Sequence, residues 1–171
     1  GQGLFVKVAQ VVAEVLAIDL DHIRVSATST GKVPNTSATA ASSGSDLNGM
    51  AALNAAEQIK TRMTEVASEH FAVPTGEIIF ASNRIYAGNR SLSFAELAAM
   101  AYEQRVSLSA TGYYRTPKIS WDFASNTGRP FYYFVYGAAA AEVAVDTLTG
   151  ETRVLRAELL QDCGRSLNPA I

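Results

Sequence analysis

Phe131-Tyr132-Tyr133-Phe134-Val135-Tyr136-Gly137-Ala138-Ala139-Ala140-Ala141-Glu142-Val143-Ala144-Val145-Asp146 runs into Thr147-Leu148-Thr149-Gly150 and then Glu151-Thr152-Arg153-Val154-Leu155-Arg156-Ala157-Glu158-Leu159-Leu160-Gln161. Two long arms of aromatic, β-branched and small apolar residues flank a segment with turn chemistry in Asp146, Thr149 and Gly150. The pattern predicts a β-hairpin with strands over 131–146 and 151–161. The aromatic run at its start could stack on a base. Alternation along a strand reads it instead as core on one side and a covered face on the other. Helical patterns precede these long strands without βαβ alternation. The order predicts an α+β fold: an antiparallel sheet with helices packed on one face, as a two-layer sandwich.

Working back from the hairpin, residues 106–112 read as a strand and residues 91–105 as a helix, with Ser93 and Glu96 spaced as a capping box. Residues 77–82 and 84–87 read as paired strands, and 122–129 as a polar loop. A helix over roughly 43–67 carries Ala52, Ala55, Ala56, Ile59, Met63 and Val66 on one stripe. At the front, Leu4, Phe5, Val8, Val11, Val12, Val15 and Leu16 recur at helical spacing over 4–16, with Lys7, Gln10 and Glu14 opposite. Residues 19–22 make a turn and 23–28 alternate as a short strand.

The chain has 171 residues, 48% hydrophobic and 18% charged, enough for a real core. A net charge of −2 without long runs of either sign argues against nucleic acid and anionic membrane as partners. Cys163 is the one cysteine, which excludes an internal disulfide framework and suits a reducing, cytoplasmic compartment. No stretch has the length of a membrane span or the form of a signal peptide. Asn35-Thr36-Ser37 and Asn89-Arg90-Ser91 match the glycosylation pattern by chance. Neither end of the chain has the look of a natural terminus, so the expectation is a piece of a longer polypeptide.

The chemistry-bearing stretch is Pro34-Asn35-Thr36-Ser37-Ala38-Thr39-Ala40-Ala41-Ser42-Ser43-Gly44-Ser45-Asp46-Leu47-Asn48-Gly49. Every side chain but Leu47 is small or polar, so it reads as a backbone-presenting loop that opens a helix. Ser42, Ser43, Gly44 and Ser45 place amides and hydroxyls at the helix's positive end, which suits a phosphate or a polar heterocycle. The alternative is a capped helix start with no ligand, in which Ser42, Ser45 or Asp46 bonds the first amides. The stretch has neither the lysine of a GxxxxGK[ST] loop nor the spacing of GxGxxG. Gln2, between two glycines, is a long amide that can reach outward from the first helix.

Elsewhere the signals are weaker. His22 and His70 stand apart without ligand-spaced partners, so a zinc site is not expected, and His70 reads as a helix C-terminal cap. Cys163 beside a strand end reads as a small buried residue rather than a nucleophile. No Gly-x-Ser-x-Gly elbow supports a hydrolase.

Whole strings carry a resemblance. Gly1-Gln2-Gly3-Leu4, Val33-Pro34-Asn35-Thr36-Ser37-Ala38-Thr39-Ala40-Ala41-Ser42 with Asp46-Leu47-Asn48-Gly49, Arg105-Val106-Ser107-Leu108-Ser109, Gly112-Tyr113-Tyr114-Arg115-Thr116-Pro117 and Ser166-Leu167-Asn168-Pro169-Ala170-Ile171 resemble the molybdenum-binding part of the molybdenum hydroxylase family, in its xanthine dehydrogenase and aldehyde oxidase branch. They stand in the family's order and span the chain, which is accordingly read as one molybdopterin-binding α+β domain over residues 1–171.

The resemblance implies a molybdenum–molybdopterin cofactor with no direct protein ligand to the metal, Gln2 and Ala41 lying nearest. Gln2, Thr39, Ala41, Ser42, Ser43 and Gly44 correspond to cofactor-binding positions, and Ala40 and Ala41 to substrate-proximal ones. Gly44 departs from the serine familiar in animal relatives and keeps only an amide to offer. The implied activity is hydroxylation of a purine, xanthine or hypoxanthine to urate, with oxygen from water and electrons passed to [2Fe-2S] and FAD centres in other domains or subunits. The implied assembly is a homodimer of the complete enzyme. The family's Gly-Glu-Pro-Pro string, which carries the general-base glutamate, is absent here, so this piece alone is expected to be inactive. Two alternatives stand beside this reading: the same chemistry on aldehydes or other N-heterocycles, and a cofactor-free α+β interaction module.

Overall fold

The computed structural model describes residues 3–29, 31–32 and 43–168, and the chain divides into two compact units, Gly1–Arg115 and Thr116–Ile171.

In the first unit, helix α1 (Leu4–Leu16) has the limits its periodicity predicts. Its buried side is not the large apolar stripe, however. Ala9, Ala13 and Leu16 are buried, whereas Phe5 is 57% exposed. Helix α1 packs against helix α2 (Gly44–Phe71) through Val11 of the apolar stripe, whose Cγ2 lies 3.8 Å, an ordinary contact distance, from where a Cβ on Gly49 would stand. Lys7 Nζ donates to Ser45 Oγ at 3.2 Å across the same seam. Lys7 meets Ser45 and Val11 meets Gly49 at one offset of 38 residues, so the two helices run parallel with their N-termini at the same end.

The expected strand over 23–28 does not form. Alternation alone cannot hold a strand whose backbone finds no partner, and no strand among the described residues pairs with this stretch. Helix α2 runs one turn beyond the expected end at Ala67. The polar Ser68, Glu69 and His70 interrupt the sequence pattern, but Phe71 falls four residues after Ala67 and is buried with it. Ala72, with φ 53°, ends the helix by returning its N–H to Glu69 and Ser68 carbonyls. His70 therefore lies within the last turn rather than after it, edge-on to Phe71 at 4.9 Å.

Three antiparallel strands follow in the order β1 (Ile78–Ala81), β2 (Arg84–Ala87), β3 (Arg90–Ser93). Ser82 and Asn83 both take positive φ, 49° and 64°, the geometry that lets a two-residue turn match strand twist. Sequence periodicity missed β3 by starting the next helix at residue 91. The strand instead ends on Ser93, which caps helix α3 (Phe94–Glu103). The capping box is complete: Glu96 N–H donates to Ser93 Oγ at 3.2 Å and Ser93 N–H to Glu96 Oε2 at 2.7 Å. Ile85, Ala87 and Leu92 pack against Met63, Val66, Ala67 and Phe71 of α2 and Leu97 and Ala101 of α3. Ile79, on the opposite face of the sheet, is 59% exposed. Helices thus cover one face, as the α+β reading expects.

The predicted strand at 106–112 is extended, and half-buried and exposed residues alternate from Val106 to Arg115. It pairs with no strand among the described residues. Helix α2 holds it instead. Asn54 Nδ2 donates to the Tyr113 carbonyl at 2.7 Å, Gln58 Nε2 to Thr111 at 3.3 Å, and Arg62 to Ser109 at 3.1 Å and also to Ser107. Gly112 makes this possible: a Cβ there would collide with the Ala51 carbonyl oxygen and stand 2.8 Å from Ala55 N.

In the second unit the expected polar loop is a small hairpin, β4 (Ser120–Asp122) with β5 (Thr127–Arg129). Its turn is closed by Asp122, which accepts from Ser125 Oγ at 2.6 Å and Ala124 N–H at 2.9 Å. The long hairpin is present as β6 (Gly137–Val145) and β7 (Thr152–Gln161), paired from Gly137↔Gln161 to Val145↔Thr152 with an irregularity between Glu142 and Val143. Asp146 accepts from Leu148 N–H at 2.8 Å and Thr149 N–H at 3.2 Å, as its turn chemistry predicts. The aromatic run lies outside β6, and its reading as core is overturned: Tyr136 is 81% exposed. Leu159 in β7 is likewise 84% exposed. The antiparallel strands form three separate sheets rather than one.

Candidate functional site at the paired helix starts

Of the residues assigned to the cofactor from sequence, Ser43 and Gly44 are described. Gln2, Thr39, Ala40, Ala41 and Ser42 lie outside the described residues. Ser43 is the N-cap of α2 at φ −92°, ψ −5°, and Gly44 is the first helical residue. The first helix bond runs from Leu47 N–H to the Ser43 carbonyl at 3.1 Å. The amides of Gly44, Ser45 and Asp46 precede that bond, in the turn where N–H groups point along the axis and the helix field is positive. Ser43 makes no side-chain capping bond at this helix start. Asp46 does place a carboxylate in the first turn. Asn48 Nδ2 closes onto the Gly44 carbonyl at 3.0 Å, which braces the turn from below.

Helix α1 adds a second positive end beside the first. Gly3, its N-cap, takes φ +67°, a conformation that favours glycine, and Lys7 N–H bonds the Gly3 carbonyl at 3.1 Å. Because α1 and α2 are parallel, the chain enters both helices at one end of the pair, through Gly3 and through Ser43. The Lys7 ammonium lies there too, on Ser45 Oγ. Sequence reading placed Lys7 on the polar face of α1 and gave it no role. Nothing local marks it, since its partner is 38 residues away. Two helix starts and a lysine meet at one end, where α2 opens through Ser43, Gly44 and Ser45 with the Asp46 carboxylate beside them. That donor set fits a phosphate-bearing group and offers no thiolate or imidazole to a metal.

Other candidates are not brought together. Among the described residues no three His, Cys, Asp or Glu side chains gather as a metal-ligand set. Cys163 is exposed, against the expectation of a buried thiol, and its Sγ lies 3.8 Å from the Gly164 carbonyl oxygen.

The family model of the molybdopterin cofactor-binding domain matches residues 1–171. The chain belongs to that family. The domain is 48% identical over its whole length to xanthine dehydrogenase of Oryza sativa subsp. japonica, and covers 11% of that protein. It is 46% identical to xanthine dehydrogenase 1 of Arabidopsis thaliana and 42% identical to xanthine dehydrogenase/oxidase of Gallus gallus, again over 100% of this chain and 11% of each relative. The molybdopterin-binding domain thus spans about a tenth of the curated relatives it matches. Among solved structures it is similar to a Cu,Mo-CO dehydrogenase, with TM-score 0.77 and 25% identity over 99% of this chain and 21% of that one. Quinoline 2-oxidoreductase from Pseudomonas putida 86, with TM-score 0.74 at 24% identity over 99% of this chain and 21% of that one, shares the fold. The α+β class agrees with these neighbours, and the curated relatives that match over the whole of this chain carry the name xanthine dehydrogenase.

Proposed function

We propose that the chain is the cofactor-cradling segment, one domain over residues 1–171, of a xanthine dehydrogenase that hydroxylates a purine with oxygen from water. The observation that carries the reading is the 42–48% identity to xanthine dehydrogenases along all 171 residues. The first-turn amides of α2 and the Lys7 ammonium neutralise the pterin's terminal phosphate, without a covalent bond to the metal. Ser43 contributes hydroxyl and amide, and Gly44 an amide with no side chain in the way. Gln2, Thr39, Ala41 and Ser42 complete the cradle from the two chain segments that lead into these helices, and small Ala40 and Ala41 leave room for the substrate. The bound molybdenum–molybdopterin supplies the redox chemistry. Electrons leave through [2Fe-2S] and FAD centres in the rest of a homodimeric, cytoplasmic enzyme, and the isolated segment is inactive.

The test is the full-length protein. Stoichiometric molybdenum and pterin phosphate with urate formed from xanthine are the expected result. Turnover of aldehydes or other N-heterocycles without xanthine would move the assignment to another branch, and a protein lacking both molybdenum and pterin would overturn it.

A further inference from the structure

We propose that Asn83, in the turn between β1 and β2, is the positioning residue of α1. It latches the C-terminal end of that helix, fixes how α1 lies on α2, and so sets where Gly3 and Lys7 stand at the paired helix starts. The bearing on the cofactor rests on the function proposed above; the latch itself does not.

Asn83 takes φ 64°, a left-handed conformation that asparagine enters more readily than most residues. In that pose its N–H donates to the Ala17 carbonyl at 2.8 Å, and its carbonyl accepts from Phe94 N–H at 2.9 Å. Phe94 is the first residue of α3, so its amide has no acceptor within its own helix. The side chain closes a ring with Asp19: Asn83 Oδ1 accepts from Asp19 N–H at 2.7 Å, and Asn83 Nδ2 donates to Asp19 Oδ2 at 2.8 Å. One turn residue thus ties the segment leaving α1 to the start of α3 across 64 residues of chain. The turn by itself asks only for two positive φ values. Ser82 meets that need at φ 49° and takes no part in these bonds.

The ending of α1 is shaped for the latch. Ala17, at φ 54°, turns the chain back, and Ile18 N–H closes on the Ala13 carbonyl at 3.0 Å. The Ala17 carbonyl is thereby left to Asn83. The buried residues of α1, Ala9, Ala13 and Leu16, lie toward this same end. A thirteen-residue helix is a stiff rod of about 20 Å. Freedom at its latched end becomes displacement at the other, where Lys7 meets Ser45.

Amide exchange and molybdenum content of the full-length protein test the proposal. Asn83→Gly tolerates the positive φ and keeps both backbone bonds, so it deletes the ring with Asp19 alone; Ser82→Gly is the control for turn flexibility. Asn83→Asp sets two carboxylates face to face. Adding Asp19→Asn returns one donor and one acceptor to the pair with the roles exchanged. Asn83→Gly and Asn83→Asp are expected to speed exchange of the Asp19 amide and of α1 from Lys7 to Leu16 about tenfold, the loss of two hydrogen bonds. Exchange at Leu97 and Ala101 in α3 should hold, and molybdenum per chain should fall. The double variant Asp19→Asn, Asn83→Asp should restore both readings. Unchanged exchange in α1, or a double variant no better than Asn83→Asp, overturns the latch. Faster exchange in α1 with molybdenum fully retained overturns its bearing on the cofactor. A parent protein without molybdenum overturns the cofactor reading instead, and the exchange rates still decide the latch.

Discussion

Gly112→Ala probes the contact on which the first unit's outer layer depends. The new methyl collides with the Ala51 carbonyl oxygen and lies 2.8 Å from Ala55 N and 2.9 Å from Ala51 C. All three atoms are helix backbone, which cannot step aside as a flexible side chain would. The extended segment must therefore lift off α2. Overpacking of this kind costs about 1–3 kcal/mol. Lifting also stretches the flanking hydrogen bonds, Asn54 to Tyr113 at 2.7 Å and Gln58 to Thr111 at 3.3 Å, worth about 1 kcal/mol each at most. The two effects overlap, so the expected loss is about 2–4 kcal/mol, or roughly 30- to 700-fold faster opening of the amides in this region. Native-state amide exchange on the intact protein reads this directly over residues 106–113 and the facing turns of α2. Gly76→Ala is the control: its Cβ meets nothing within 4 Å, and its φ is not one that strains a side chain. It should be neutral, or stabilising by about 0.4–1 kcal/mol through the unfolded chain. Exchange in Gly112→Ala within threefold of the parent would show that the close approach does not exist in solution.

Ser93→Ala removes the α3 cap and should cost about 1 kcal/mol, read as faster exchange confined to α3. Bonds from the Ser93 amide and then the Ser93 hydroxyl hold the Glu96 carboxyl below its ordinary value. A depressed carboxylate stabilises above its unfolded pKa, ordinarily about 4.3, and the contribution is lost as pH falls through the lowered folded value. Exchange in α3, corrected for intrinsic rates, should therefore accelerate below about pH 4, and Glu96→Gln should abolish that dependence. Arg62→Met deletes the donor to Ser107 and Ser109; protease cleavage near residues 107–109 should increase while α2 stays helical by circular dichroism, and unchanged cleavage would remove Arg62 from the clamp. Lys7→Gln should act in opposite directions on two states. It relieves a cation at two helix starts and so stabilises the cofactor-free protein by about 0.3–1 kcal/mol, yet lowers retained molybdenum and pterin phosphate in the full-length protein; equal retention would place the phosphate elsewhere.

Local sequence determined what depends on near neighbours. The limits of α1, the Ser93–Glu96 box, the Asp146 turn and the small-residue start of α2 are set by contacts a few residues apart, and each follows from a spacing rule. The same strings that open α1 and α2 carried the family resemblance, and the full-length match to the molybdopterin cofactor-binding domain agrees with it. Tertiary structure alone decided the rest. Parallel packing of α1 on α2 brought Lys7 to Ser45 and Val11 to Gly49 and joined two helix starts at one end, a pairing across 38 residues that no local spacing encodes. Alternation at 23–28, 106–112 and 131–136 looked equally strand-like in sequence, yet none of these stretches pairs with a strand among the described residues. A strand exists only where a second backbone meets its edge, and that is a property of the assembled chain.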